Sequence, residues 1–302
     1  MRLPKRVQIV EVGPRDGLQS EEHILPTATK LALIDRLADA GHTIIEATSF
    51  VNPKFVPQLA DADDVMKGLR RRPGVRYPVL VPNERGFDRA IAAGVDEIAV
   101  FGSASETYSR KNLNHGRDEA IEMFRPVVRR AKDAGLRVRA YLSMAFGDPW
   151  EGPIPARVAA DGALRLVDLG ADELSFGDSI GVATIGATQA LITECVQRGV
   201  GPERIGVHFH DTYGQALANV LAALELGVTM IDASLGGIGG SVVDTGAGGN
   251  LATEDLVYMR DGVGVETGVD AKKVAAVSSW LAGELGHAMP GRGARALSGR
   301  TV

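Results

Sequence analysis

The stretch HFHD places two imidazoles two residues apart, at His208 and His210. In a strand, successive side chains alternate between faces. Ile205, Val207 and Phe209 then form one apolar face, and His208 and His210 share the other. Two imidazoles aimed at one point can hold a divalent cation. Near the N-terminus, GPRDGLQ follows a strand pattern and sets Arg15 and Asp16 at its end. Near the C-terminus, the glycine-rich stretch GGIGGSVVDTGAGGN ends at Asn250. A carboxylate, two imidazoles and an amide oxygen make a mixed nitrogen and oxygen set. Such a set suits Mg²⁺ or Mn²⁺, with water or substrate oxygens completing the shell; ligand type alone leaves Zn²⁺ and Fe²⁺ open. Cys195 falls in the helical pattern before His208, so no thiolate ligand is expected.

These residues can meet only if the elements carrying them are neighbours. Strand patterns begin near Gln8, Thr43, Arg76, Glu97, Leu136, Glu173, Arg204 and Met230. Helical periodicity fills the segments between, for example residues 28–40, 157–169 and 215–226, which Gly41, Gly170 and Gly227 follow. Glycine just past the last periodic residue is a common helix stop. Strict alternation implies a parallel sheet, and eight units imply closure into a (β/α)8 TIM barrel. An open doubly wound sheet is the rival; no glycine-rich dinucleotide loop follows the first strand. Two more helical patterns, near 253–260 and 271–285, follow the eighth strand. Residues 1–290 read as one barrel domain with additional C-terminal helices, and 291–302 as a solvated tail.

In a closed barrel the first, seventh and eighth strands are neighbours, so Asp16, His208, His210 and Asn250 can converge at the C-terminal rim. Alternation also sends Arg139, Tyr141 and Ser143 inward from the fifth strand, and Asp232 and Ser234 from the eighth. Glu46 sits within an apolar run, where an unpaired carboxylate is costly. A structural polar network is the alternative explanation for any one of these residues, and a weaker one for the whole set.

Composition narrows the function classes. The net charge of the 302-residue chain is −5 and no long basic block occurs, so no nucleic-acid partner is expected. No apolar run approaches 18 residues, which argues against a membrane partner. The opening MRLPKRVQIVEVG enters a strand pattern at once, so a cytoplasmic protein without a leader is expected. One cysteine allows no internal disulfide.

Taken together, VEVGPRDGLQ, IEATSFVNPKFVPQLAD, SASETYSRKNLN, DPWEG, HFHDTYGQALAN and GAGGNLATEDLVYM resemble the 3-hydroxy-3-methylglutaryl-CoA lyase family of metal-dependent TIM-barrel lyases. The resemblance spans nearly the whole chain. It implies retro-aldol cleavage of a tertiary alcohol to acetyl-CoA and a β-keto acid, with a CoA thioester as substrate. It also implies that Asp16, His208 and His210 ligate the metal, with Asn250 as a further ligand. Arg15 would stabilise the enolate, Glu46 would support Arg15, and Gln19 would contact substrate or a ligand water. His208 and Asp16 are the candidates for taking the hydroxyl proton.

One position departs from the pattern. The family's loop after the eighth strand carries a cysteine assigned to proton transfer, and Ser241 stands there in GIGGSVVD. A thiol titrates near 8.5, whereas an unactivated hydroxyl is a far weaker acid. Ser241 could relay a proton through water, Asp244 or Tyr141 could take over, or the substrate could be another acyl-CoA such as citramalyl-CoA. Lys111 and Asn112, with Arg110 and Asn114, are candidates for contacts to the CoA portion. A condensing synthase of the same fold and a non-catalytic barrel are the rival functions. A homo-oligomer is compatible with the extra C-terminal helices.

Overall fold

The computed structural model describes residues 1–240 and 246–298. Eight parallel staves form the barrel. They are β1 (Gln8–Glu11), β2 (two short pieces, Ile44–Ile45 and Thr48–Ser49), β3 (Val79–Leu80) and β4 (Glu97–Ser103). They continue with β5 (Arg137–Ser143), β6 (Glu173–Asp178), β7 (Ile205–Phe209) and β8 (Met230–Ala233). The second stave closes the cylinder. Its first piece pairs with β1, Val10 opposite Ile44, and its second with β3, Thr48 opposite Val79. Between them Glu46 N–H donates to Glu11 O and Ala47 N–H to Pro78 O. Alternate residues thus bond alternate neighbours, as parallel pairing requires. At the other edge β1 pairs with β8, Gln8 opposite Met230 through Glu11 opposite Ala233.

The expected strand starts hold within a residue except at the third stave. There Arg76 makes only an isolated bridge to Ile44, and regular pairing begins at Val79. Pro78, which lacks an N–H, interrupts the ladder.

Helices Thr27–Asp39, Ala156–Leu169 and Ala216–Glu225 match the sequence expectation within a residue. Their apolar faces pack on the outward side of the strands, where Ile205, Val207 and Phe209 are buried in the main core. Cys195 is buried in helix Ile185–Gln197. At the N-terminal end of the barrel Arg76 donates to both Glu97 and Glu173, and Arg137 to Glu173. This end is closed by ion pairs, which leaves the opposite rim for chemistry.

Helices Thr253–Gly262 and Ala271–Leu285 follow the barrel, as expected. The solvated tail needs correction, because residues Arg292–Ser298 form a helix. Gly291 N–H donates to Gly236 O, Gly293 N–H to Asp255, and Arg292 to Asp211, while Ala294 is buried. The segment is polar in composition, and its order comes from partners about 40 to 80 positions away rather than from its own periodicity. Among the described residues, no helix is long and apolar enough to cross a membrane.

Candidate active site

The site begins where β1 stops. Val12 O accepts from the N–H groups of Arg15, Asp16 and Gly17, which winds Gly13–Gly17 into a single π-helical turn. Such turns occur often at functional positions. The Glu11 carboxylate pins it. One oxygen accepts from Gly13 N–H and Leu235 N–H, both at 2.9 Å, and the other from Thr253 Oγ at 2.7 Å. Gly13 sits in close quarters, since a Cβ there would lie 2.3 Å from Leu235 Cδ2 and 2.7 Å from Glu11 Oε1, so those side chains would have to shift. The turn therefore sets Arg15 and Asp16 at the C-terminal rim.

β7 supplies the imidazoles. Asp16, His208 and His210 each offer a ligand atom, and these atoms lie within 4.8 Å of one another. His208 Nε2 is 3.7 Å from Asp16 Oδ2. Among the described residues, His210 Nδ1 is buried with no hydrogen-bond partner, an atom that a cation would satisfy. The donor set and this orphaned nitrogen fit a divalent metal.

Arg15 is flanked by two carboxylates. Its Nη1 reaches Asp16 Oδ1, its Nε donates to Glu46 Oε2 at 2.8 Å, and its Nη2 lies 2.7 Å from the same oxygen. Tyr141 Oη donates to Glu46 Oε2 at 3.1 Å, and the guanidinium lies 5.4 Å from the Tyr141 ring centroid. Burial works to raise the Asp16 carboxyl, but Arg15 and the two imidazoles hold it down at about 2. Burial raises Glu46 above its usual range even against the pull of Arg15. Burial and the neighbouring His208 lower His210 to about 4, which keeps that imidazole neutral and able to ligate.

These groups open on a cavity of about 300 Å³. Arg15, Asp16, His208 and His210 line one side; Val51, Val56, Leu80 and Phe101 are among its apolar walls. A cavity of this size with convergent polar groups suits a small acyl group.

The HMGL-like family matches residues 6–281. The chain belongs to that family. Rat mitochondrial hydroxymethylglutaryl-CoA lyase is 50% identical over 279 residues, covering 92% of this chain and 86% of the relative. A zebrafish protein named cytoplasmic 3-hydroxy-3-methylglutaryl-CoA lyase is 51% identical over 93% of this chain and 83% of its own. The solved hydroxymethylglutaryl-CoA lyase of Pseudomonas aeruginosa superposes with a TM-score of 0.96 at 45% identity, covering 99% of both chains. An HMG-CoA lyase from Acinetobacter baumannii, solved with coenzyme A and 3-methylmalate, gives 0.92 at 34% identity, covering 99% of this chain and 96% of its own. The TIM barrel and the carbon–carbon lyase class expected from sequence stand with this membership.

Within this HMGL-like barrel the expected site residues divide. Arg15, Asp16, His208 and His210 meet, and Glu46 lies against Arg15. Gln19 Nε2 donates to Asp16 Oδ1 at 3.1 Å and lines the cavity. Asn250 reaches Asp16 through its amide nitrogen, which donates to Asp16 Oδ2 at 2.8 Å and to Ile238 O at 3.1 Å. Its oxygen, the atom a cation needs, is not the one turned to that carboxylate. Asn112 and Tyr141 line the cavity; Lys111 does not, and its ammonium lies 4.7 Å from the Trp150 ring centroid. Ser241 and Asp244 lie outside the described residues.

Three lining residues were not singled out from the sequence, although Tyr108 and Phe55 lie in motifs that carry the resemblance. Tyr108 is half-buried, and desolvation at the cavity wall pushes its hydroxyl up to about 12. Phe55, in the loop after β2, lines the mouth while exposed. Met144 lines the cavity with φ of 54°, an uncommon backbone conformation for a non-glycine residue.

Proposed function

We propose that this chain cleaves 3-hydroxy-3-methylglutaryl-CoA to acetyl-CoA and a β-keto acid at the rim of its barrel. The observation that carries the reading is the buried Arg15 guanidinium beside the Asp16, His208 and His210 cluster. Asp16, His208 and His210 would hold a divalent cation, Mg²⁺ or Mn²⁺. When bound, that ion supplies Lewis acidity toward substrate oxygens.

The chain's own residues do the rest. Asp16 takes the proton of the tertiary hydroxyl; His208, the other sequence candidate, is committed at both ring nitrogens, Nδ1 to Asp232 and Nε2 to the cation site. The carbon–carbon bond then breaks, the new carbonyl forms, and the electron pair moves into the thioester enolate. Arg15, fixed by Glu46 and Asp16, donates to the developing enolate oxygen. Protonation of the released methylene carbon completes acetyl-CoA. Tyr141 is poorly suited to deliver that proton. Its hydroxyl donates to Glu46, and burial raises its pKa well above the usual tyrosine range. Ser241 remains the candidate by sequence position. Lys111 and Asn112 are assigned to the CoA portion, with Lys111 reaching it over the Trp150 indole. Gln19 orients the substrate or a water through Asp16.

The decisive experiment is acetyl-CoA release from a panel of thioesters with Mn²⁺ or Mg²⁺ present. Rapid cleavage of 3-hydroxy-3-methylglutaryl-CoA supports the reading, and cleavage of none defeats it. Ser241, where the family resemblance expects cysteine, favours a second reading, a related acyl group such as citramalyl-CoA. The same panel separates the two. We further propose a cytoplasmic, oligomeric enzyme; the relatives' names include both mitochondrial and cytoplasmic lyases, so cell fractionation and sedimentation are the tests.

A further inference from the structure

Behind the metal-binding cluster lies a second layer of buried polar groups, drawn from four consecutive staves. Arg139 on β5, Ser175 on β6, His208 on β7 and Asp232 on β8 all point into the barrel and meet at one carboxylate. Asp232 Oδ1 accepts from Arg139 Nη2. Asp232 Oδ2 accepts from Ser175 Oγ at 2.9 Å and lies 3.2 Å from His208 Nδ1. Register makes this contact unavoidable. His208 and Asp232 are directly paired across β7 and β8, and both face inward. Asp232 is 2% exposed, and Arg139 1%, so no bulk water competes for these positions.

A neutral imidazole carries its proton on one nitrogen, and the partner of one nitrogen decides what the other presents. A carboxylate accepts only, so Nδ1 facing Asp232 must carry the hydrogen. Nε2, on the other side of the ring, lies toward Asp16 Oδ2 at 3.7 Å. We infer that Asp232 is a positioning residue that holds His208 in the Nδ1–H tautomer and so turns the Nε2 lone pair on the cation site beside Asp16. The inference rests on the metal-centre reading of the site and adds a residue to it. The two oxygens divide the work: Oδ1 takes Arg139, while Oδ2, steadied by Ser175, faces the imidazole. Were Asp232 present only to neutralise Arg139, nothing would require the second oxygen to meet His208 at its Nδ1 edge.

The test needs no turnover. In ¹⁵N-labelled, metal-free protein, long-range proton–nitrogen spectra report the tautomer of each of the six histidines, and His208→Ala assigns the relevant signal. His208 should show the Nδ1–H pattern. In Asp232→Asn the amide can turn its NH₂ to Nδ1, so the Nε2–H form should gain population. Mn²⁺ binding, followed by calorimetry, should weaken about 10- to 100-fold. Thermal unfolding of the variant checks that the barrel persists. If the variant does not fold, the unmodified protein still decides: an Nε2–H imidazole at His208 overturns the inference. An Nδ1–H signal and Mn²⁺ affinity both unchanged in Asp232→Asn overturn it as well. Failure of the unmodified protein to bind Mn²⁺ is a different result, since it removes the metal centre itself and the inference with it.

Discussion

Glu46 Oε2 accepts from Arg15 Nε at 2.8 Å and lies 2.7 Å from Nη2, so a carboxylate with no solvent exposure fixes the guanidinium from outside the cavity. Glu46 does not line the cavity, and Arg15 does. The cation is therefore aimed before any substrate arrives, which is the condition for strong stabilisation of a developing oxyanion.

Arg15→Met should lower kcat by about 10²- to 10³-fold, the loss usual for one such donor. The fold should survive. Burial already raises the Glu46 carboxyl, so it can take a proton once its partner is gone. Steady-state kinetics with circular dichroism check both parts, and normal turnover would defeat the role. Arg15→Lys should rescue little, since an ammonium cannot reproduce the planar contacts to two carboxylates.

Metal removal should separate function from fold. Chelation followed by dialysis should abolish acetyl-CoA release while leaving the thermal transition cooperative, and added Mn²⁺ should restore turnover. His210→Ala should weaken Mn²⁺ binding by more than about tenfold, because His210 Nδ1 is a buried nitrogen with no hydrogen-bond partner among the described residues. Calorimetric titration of the metal-free protein reads this directly.

Tyr141→Phe should be mild in activity and measurable in stability. The change removes the Oη hydrogen bond to Glu46 while keeping the ring beside Arg15. A buried hydrogen bond to a charged acceptor contributes about 1.5–3 kcal/mol. Urea unfolding should show a loss of that order, with kcat reduced less than about tenfold. A collapse of turnover would instead give the hydroxyl a direct part in the reaction.

Glu11 gives stability a pH dependence of known sign. Burial pushes its carboxyl up to about 8, against hydrogen bonds from Thr253, Leu235 and Gly13 that pull it down. In the unfolded chain a glutamate titrates near ~4.3. The folded state thus holds this proton more tightly. Its contribution is fully present below the unfolded pKa and is lost as pH rises toward 8. Glu11→Gln has no such group. The stability of the unmodified protein relative to this variant should therefore fall between pH 5 and pH 8, by at most about 1.4 kcal/mol per pKa unit of separation. Urea titrations of both proteins across that window measure it; a constant difference would refute it.

Lys111→Ala should raise the apparent KM for the CoA ester about threefold to tenfold and leave kcat nearly unchanged. Lys111 stands outside the cavity wall, over Trp150, where it can meet the carrier portion but not the reacting carbons. An unaltered KM would remove the assignment.

The sequence by itself determined the number of staves, which residues face inward, and the group of residues that meets at the rim. Alternation with a period of two sorts faces without any knowledge of neighbours. His208 and His210 were therefore legible as one pair, and Asp232, Arg139 and Tyr141 as interior. Gly13–Gly17 marked the end of β1, and motifs spread along most of the chain carried the family.

Only the tertiary structure decided which interior group touches which. Glu46 meets Arg15 across 31 positions, Asp232 meets Arg139 across 93, and Asn250 meets Asp16 across 234. Those meetings depend on the stagger between staves and on barrel closure, quantities that no local pattern encodes. The same reason explains the outcomes that differed. The Asn250 amide turns its nitrogen to Asp16, and residues 292–298 become a helix against Asp211 and Asp255. In each case a partner remote along the chain sets the conformation, so local composition could name the residue but not its direction.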